Sequence, residues 1–361
     1  MGALLKGVLD DVGVIRKEKI MLYFDCDYME GCCPEILKKL EEINMEKNTG
    51  YGTDNYCKSA CDKILKKCGI DEGEVYFMTG GTQTNSTVIS ALLKNYEGVI
   101  AADSGHINTH EAGAIENSGH KVITIKNNEG KIMPCDLRKY LENFHRDENN
   151  EHMVYPGMVY ISFPTEYGTL YSANELNEIY NICVEYGIFL YVDGARLGYG
   201  IMAKENDVTL EYLAHNCHIF YIGGTKVGAM LGEAVVIPNK GLITRFFTAI
   251  KQKGALLAKG WILGVQFDTL FTDDLYFKIA ENAVLRANEI KRIFEEKGYR
   301  FYINSPTNQI FVIMDDEKIK ELKNNVSFSF WEKYDEKSTV VRFASSWATS
   351  KEDVERLEKF L

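Results

Sequence analysis

Ile188-Phe189-Leu190-Tyr191-Val192-Asp193-Gly194-Ala195-Arg196 is an apolar run that stops abruptly at a carboxylate, a glycine and an arginine. Bounded by Gly187 and Gly194 and rich in aliphatic and aromatic residues, it reads as a buried strand. Immediately upstream, Ser172 and Glu175 form a capping box. Leu176, Ile179, Tyr180 and Cys183 recur on one helical face, and Gly187 supplies the C-terminal stop. Helix therefore runs directly into the strand that carries Asp193.

The same alternation extends outward in both directions. Val75-Tyr76-Phe77-Met78, Val99 to Ala102, Val122 to Ile125, Met158 to Ser162 and His218 to Ile222 are short apolar runs separated by helix-length amphipathic segments. This is the pattern of an α/β protein with a mostly parallel sheet flanked by helices. After Pro238 the character changes to long helical patterns, Leu242 to Gly260 and Asp274 to Gly298. Short strands around Gln309 to Met314 and Thr339 to Phe343 and a terminal helix follow. The expected organisation is a large domain over residues 1–250, including the N-terminal segment, and a small C-terminal α+β domain over 251–361.

Composition narrows the partners. With 41 Lys and Arg against 52 Asp and Glu, the 361-residue chain has a net charge of −11, and it has no dense basic stripe, which argues against nucleic acid or an anionic membrane. No run reaches the roughly 18 apolar residues of a membrane span. Met1-Gly2-Ala3-Leu4-Leu5-Lys6 lacks a signal-peptide core and puts a lysine where a myristoylation motif needs Ser or Thr. A cytoplasmic protein acting on a small molecule is expected. The nine cysteines are scattered, without paired Cys-x-x-Cys elements, so neither a disulfide framework nor a metal site is indicated.

In an open α/β sheet, ligands sit at the carboxyl ends of the strands, where the unusual residues of this chain fall. Thr79-Gly80-Gly81-Thr82-Gln83-Thr84-Asn85 follows a strand and opens a helix, so free N–H groups and the helix dipole can hold a phosphate there; a tight turn without ligand is the alternative. Asp193 at a buried strand end needs a partner, either a protonated pyridine nitrogen or the nearby Arg196. Lys226, in Gly223-Gly224-Thr225-Lys226-Val227-Gly228, is either a surface lysine or an amine desolvated beside a cofactor. An acid at one strand end and a lysine after the next are what a pyridoxal 5′-phosphate (PLP) site needs.

Several ordered motifs carry a resemblance over nearly the whole chain. Between Phe24-Asp25-Cys26-Asp27-Tyr28 and Val341-Arg342-Phe343-Ala344-Ser345 lie Gly50-Tyr51-Gly52-Thr53-Asp54, the Thr79 to Asn85 loop, His106 before Glu111-Ala112-Gly113, Val192 to Arg196, and Gly224-Thr225-Lys226. In these the chain resembles the threonine aldolase and β-eliminating lyase family of fold-type-I PLP enzymes, nearest in pattern to low-specificity L-threonine aldolases. The resemblance implies that Lys226 holds PLP covalently, that Asp193 pairs with the pyridine nitrogen, and that His106 stacks on the ring. It implies further that Gly81, Thr82 and Thr225 hold the phosphate, and that Arg196 and Arg342 bind the substrate α-carboxylate. The implied reaction is retro-aldol cleavage of a small β-hydroxy-α-amino acid such as threonine to glycine and an aldehyde. A homodimer or homotetramer with shared sites is also implied, with Lys251, Lys253 and Lys259 placed where relatives reach a phosphate.

Two positions depart from the aldolase pattern. Where aldolases carry a histidine, in a segment ending Asn-Thr-His-Asn-Gly, this chain reads Phe163-Pro164-Thr165-Glu166-Tyr167-Gly168, so that Glu166 takes the histidine's place as a base of different reach, or is a solvated loop acid. Cys26 stands for a serine near the substrate carboxylate, and a thiol is a poorer donor. Both changes put the choice of substrate in question. β-Elimination on another amino acid is the alternative within PLP chemistry. A non-catalytic nucleotide- or phosphate-binding protein is the alternative outside it, weakened because the Thr79 to Asn85 loop lacks both the P-loop lysine and G-x-G-x-x-G.

Overall fold

The computed structural model describes residues 21–361. Met1 to Lys6 lies outside the described residues. After a short β1 (Leu22–Phe24), the next seven strands form one sheet: β2 (Glu74–Met78), β3 (Glu97–Ala102), β4 (Val122–Ile125), β5 (Tyr155–Ser162), β6 (Phe189–Asp193), β7 (Ile219–Gly223) and β8 (Glu233–Ile237). Their spatial order is β2-β8-β7-β6-β5-β3-β4. From β4 to β7 every pair is parallel, and β8 alone runs antiparallel to both neighbours. The α/β class with a mostly parallel, helix-flanked sheet is therefore present as the sequence implied.

The sheet is buried on both faces because its strands are apolar at consecutive positions. Ile100, Val159, Leu190, Val192, Phe220 and Val236 pack into one core. Their neighbours Val99, Met158, Tyr160, Tyr191, Tyr221 and Val235 pack into a second. The helix Ala173–Tyr186 has the predicted capping box at Ser172 and Glu175 and ends at Gly187 with φ 64°. That left-handed residue turns the chain straight into β6, which fixes where Asp193 emerges.

A smaller sheet contains β9 (Arg300–Ile303), β10 (Gln309–Asp315), β11 (Val326–Lys333) and β12 (Ser338–Ala344) in the order β1-β11-β12-β10-β9, with β1 parallel to β11. Its own core joins Phe24 to Phe294, Val312, Phe328 and Phe343. The helix expected over Leu242 to Gly260 is broken. Only Phe246–Gln252 is helical before Gly254 takes φ +70°, and a separate helix Trp261–Leu270 follows. The long helix Leu275–Glu296 then packs beside the smaller sheet, contributing Ala287, Ile290 and Phe294 to that core.

Candidate active site

The carboxyl ends of β2, β3, β5, β6 and β7 surround a cavity of about 280 Å³ lined by Gly81, Thr82, His106, Glu166, Asp193 and Lys226, among others. Asp193 sits at its floor, 4 % exposed. Its Oδ2 accepts from the Tyr160 hydroxyl at 2.6 Å and from Asn85 Nδ2 at 3.0 Å. Its Oδ1 accepts from the Ala195 N–H at 2.9 Å and from the Tyr221 hydroxyl. Burial pushes this carboxyl's pKa up, but the His106 charge and the Tyr160, Tyr221 and Asn85 donors outweigh it, and the net direction is down. Asp193 is thus held as an anion facing the cavity.

Sequence reasoning gave no role to the residues that hold Asp193. Tyr160, Tyr191 and Tyr221 come from β5, β6 and β7 on the same sheet face, and Tyr191 donates to Asn85 Oδ1 at 2.7 Å, orienting the amide. The detectable signal was a tyrosine inside each of three otherwise apolar strands, since a buried phenol needs a hydrogen-bond partner. Asn85 Nδ2 also donates to Glu111 Oε1 at 2.8 Å, and that oxygen lies 2.8 Å from His106 Nδ1. Glu111 and Asn85 therefore fix the His106 ring, and His106 lines the cavity above Asp193.

Lys226 follows β7, and its backbone carbonyl accepts from the Tyr199 hydroxyl. Its amine has no hydrogen-bonding or ion-pair partner among the described residues; the Tyr28 ring centroid lies 5.9 Å away. Burial, followed by the Arg196 charge, lowers its pKa against the opposing pull of Asp27, Asp193 and Glu233. The lowering favours the neutral form of the amine, the form in which an amine is nucleophilic.

The glycine loop ends at the helix Gly81–Leu92, whose first residue follows Gly80 with no side-chain cap, leaving the leading N–H groups available to an anion. A Cβ on Gly81 would meet the Tyr221 hydroxyl at 3.1 Å, so the missing side chain keeps this wall open. Thr225 lines the same cavity, but its hydroxyl donates to Glu233 Oε1 at 2.8 Å and accepts from the Gly232 N–H at 3.0 Å. Glu233 reaches the site because β8 runs antiparallel and therefore begins where its neighbours end. Burial pushes its carboxyl up to about 8, against the Thr225 hydrogen bond, the Lys226 charge and the Gly224 N–H.

A raised acid disfavours the fold as it ionises. Stability contributed by neutral Glu233 is complete below its ordinary value of 4.5 and is lost as pH rises toward about 8. Glu233→Gln is expected to flatten that fall in thermal stability, and an unchanged Tm–pH profile between those values would refute this role.

Arg196 does not pair with Asp193. Its Nε and Nη2 donate to Asp27 Oδ2 and Oδ1 at 2.7 and 2.9 Å, and Asn308 Nδ2 donates to Asp27 Oδ2 at 2.9 Å. Asp27 is fully buried, and although burial raises its pKa, Arg196, Lys226 and Asn308 bring it down to about 2. Removing the acid strands a guanidinium, so Asp27→Ala should cost about 3–5 kcal/mol in urea unfolding. A loss below 1 kcal/mol, taken as about the worth of a surface pair, would contradict this.

Arg342 on β12 donates from Nη2 to the Asp25 carbonyl at 2.9 Å and from Nη1 to Gln309 Oε1 at 3.1 Å, and its guanidinium carbon lies 5.6 Å from the Trp331 ring centre. Its buried Nε has no partner among the described residues. Arg196 and Arg342 both line an adjoining cavity of about 400 Å³ that shares Tyr28, His106, Glu166 and Lys226 with the first. Cys26 is partly buried and lines neither cavity. Lys251, Lys253 and Lys259 also lie outside both, Lys251 standing 4.6 Å from the Tyr51 ring centre.

Glu166 is not a solvated loop acid. Its Oε1 accepts from the His106 backbone N–H at 2.8 Å and from the Ser162 hydroxyl at 2.7 Å, tying the loop after β5 to the start of the His106 turn. Burial raises its pKa, the Ser162 hydrogen bond opposing.

This donor set fits PLP: an uncapped helix start for a phosphate, an unpartnered amine, an imidazole over the cavity and a buried anion below it. Among the described residues no cluster of His, Cys, Asp and Glu could hold a metal ion, and no helix is long and apolar enough to cross a membrane.

Comparison with known proteins points the same way. A family model described as beta-eliminating lyase matches residues 24–317. A low specificity L-threonine aldolase from a Pseudomonas species is 29 % identical over 338 residues, covering 92 % of this chain and 95 % of that protein. A solved structure of threonine aldolase from Leishmania major superposes with TM-score 0.90 at 40 % identity, covering 94 % of this chain and 98 % of that one. Aspartate aminotransferase from Thermus thermophilus shares the fold, with TM-score 0.70 at 14 % identity.

Proposed function

Because the chain belongs to the beta-eliminating lyase family, and so is a PLP-dependent lyase, we propose that it cleaves a small β-hydroxy-α-amino acid between Cα and Cβ, releasing glycine and an aldehyde. The observation that carries this reading is the junction of the two cavities. Lys226, His106 and Arg196 border both, so an amino acid attached beside Lys226 has its carboxylate within the arginine-lined compartment and its side chain in the remainder.

Each residue then has a physical task. Lys226 anchors the cofactor through its amine and hands protons to and from Cα. Asp193 keeps the ring nitrogen protonated, which requires the anion that its four donors maintain. Bound there, PLP supplies an electron-withdrawing ring conjugated to Cα. His106, fixed by Glu111, covers the ring face. Gly81 and Thr82 receive the phosphate on their N–H groups, and Thr225 borders it while its hydroxyl steadies Glu233. Arg342, which lines the second cavity, and Arg196, through the part of its fork not used by Asp27, take the α-carboxylate. Glu166 positions His106 through the backbone.

Family membership also supports a homodimer or homotetramer, for which exposed Tyr51, Met230 and Phe247 offer apolar contact area. The deciding experiment supplies L-threonine and L-allo-threonine to the PLP-loaded protein and measures glycine plus acetaldehyde against 2-oxobutanoate plus ammonia. Glycine and aldehyde in equal amounts support retro-aldol cleavage. The oxo acid and ammonia without glycine would replace it with β-elimination.

A further inference from the structure

Retro-aldol cleavage needs a group that takes the β-hydroxyl proton, and the residues lining the larger cavity can be compared for that task. His106 Nδ1 is held at 2.8 Å from Glu111 Oε1. Glu166 accepts the His106 backbone N–H and the Ser162 hydroxyl on Oε1, which ties this carboxylate to holding the His106 turn and leaves only Oε2 open. Lys226 is committed to Cα and the cofactor. His110 lines the same cavity as Arg342, Glu166 and Lys226, and its imidazole has no hydrogen-bond partner among the described residues.

His110 is also held in place. It closes the short helix His106–Thr109, its backbone N–H donating to the His106 carbonyl at 2.9 Å, and its ring centre lies 5.7 Å from that of His106. We propose that His110 is the catalytic base that accepts the β-hydroxyl proton of the substrate. The assignment rests on the retro-aldol reading above.

The step balances without an oxidant. The hydroxyl proton passes to an imidazole nitrogen, and the O–H electron pair becomes the second bond of the aldehyde C=O. The Cα–Cβ bond breaks, its pair stays at Cα, and a proton returned there completes glycine. His110 then loses its proton to water. His110 is exposed at the cavity mouth. The desolvation it does undergo, and then the charges of His106 and Arg342, lower its pKa and favour the neutral, proton-accepting ring. The charged or titratable groups lining the cavity with it are His106 on its own element, Tyr28 after β1, Glu166 after β5, Arg196 after β6, Lys226 after β7 and Arg342 on β12.

The test compares His110→Gln, His110→Ala and Glu166→Gln with the native PLP-loaded protein on L-threonine and L-allo-threonine. Glycine needs no β-hydroxyl base, so its spectral titration and the exchange of its α-proton in D2O, followed by NMR, should be native in both His110 variants. Cleavage should fall roughly 10²–10⁴-fold. The acid limb of the kcat/KM profile should vanish in His110→Gln and persist in Glu166→Gln, and added imidazole should partly restore His110→Ala. Native cleavage by His110→Gln, or transfer of the acid limb's loss to Glu166→Gln, would overturn the assignment while leaving retro-aldol cleavage standing. A native protein that cleaves neither amino acid would overturn that reading and the assignment with it.

Discussion

Lys226→Ala is expected to yield a folded protein that binds PLP only reversibly, gives no cofactor-bearing peptide after borohydride treatment, and turns over roughly 10³-fold or more slowly than the native enzyme. The size follows from the double use of one amine. In the proposed mechanism it both anchors the cofactor and carries the proton at Cα, a role whose loss alone costs about 10²–10⁴-fold. Folding should survive because Nζ has no hydrogen-bonding or ion-pair partner among the described residues, whereas the structurally engaged atom of Lys226 is its backbone carbonyl, which alanine retains. Truncation relieves the burial of an amine, and Asp27, which loses the Lys226 charge, keeps its paired Arg196. Undiminished turnover, or a borohydride-stable adduct on another lysine, would refute the assignment.

That prediction could be framed from the sequence because strand ends are legible. An apolar run interrupted by Asp193 and a glycine-bordered Lys226 one strand later break local expectation, and such breaks concentrate at sites. The capping box at Ser172 and the stop at Gly187 were readable for the same reason, since both are local chemistry. Less legible was whatever depends on strand order. Nothing in the spacing of Asp27 and Arg196 announces their ion pair, which forms because the segment after β1 meets the turn after β6. Glu233 enters the site only because β8 reverses direction, and a strand's direction is not written in its hydrophobic pattern. Likewise the helix expected from Leu242 to Gly260 fails at Gly254, where periodicity continues but the backbone turns left-handed.

Glu166 illustrates the intermediate case. Sequence identified it as an unusual residue at an informative position and left open a base or a solvated acid; the structure makes it a clamp between Ser162 and the His106 backbone. His110 carried no signal at all in sequence. It lies one helical turn from His106, and it shares a cavity with Arg342 only because strands β11 and β12 of the smaller sheet meet the turn after β3.

Asp193→Asn should produce the second large effect, a fall in turnover on the order of 10²–10³-fold with covalent cofactor attachment preserved. The substitution is nearly isosteric, so the loss isolates charge. An asparagine cannot hold a ring nitrogen protonated, and without that proton the ring withdraws electrons from Cα weakly. The surrounding donors make the variant worse than a simple neutralisation. Tyr160 and Asn85 converge on one oxygen, Tyr221 and Ala195 on the other, so whichever way the amide is turned its NH2 confronts two donors. Tyrosine hydroxyls can rotate to accept, but the Asn85 amide is fixed by Tyr191 and the Ala195 N–H belongs to the backbone. Unfolding free energy should therefore drop by about 1–3 kcal/mol as well. Tyr221→Phe separates the two contributions, since it removes one donor but keeps the anion: it should retain most of the activity while raising the Asp193 pKa and steepening the activity loss at low pH. If Asp193→Asn were as active as Tyr221→Phe, the carboxylate's charge would have no part in the chemistry, and its four donors would be explained by stability alone.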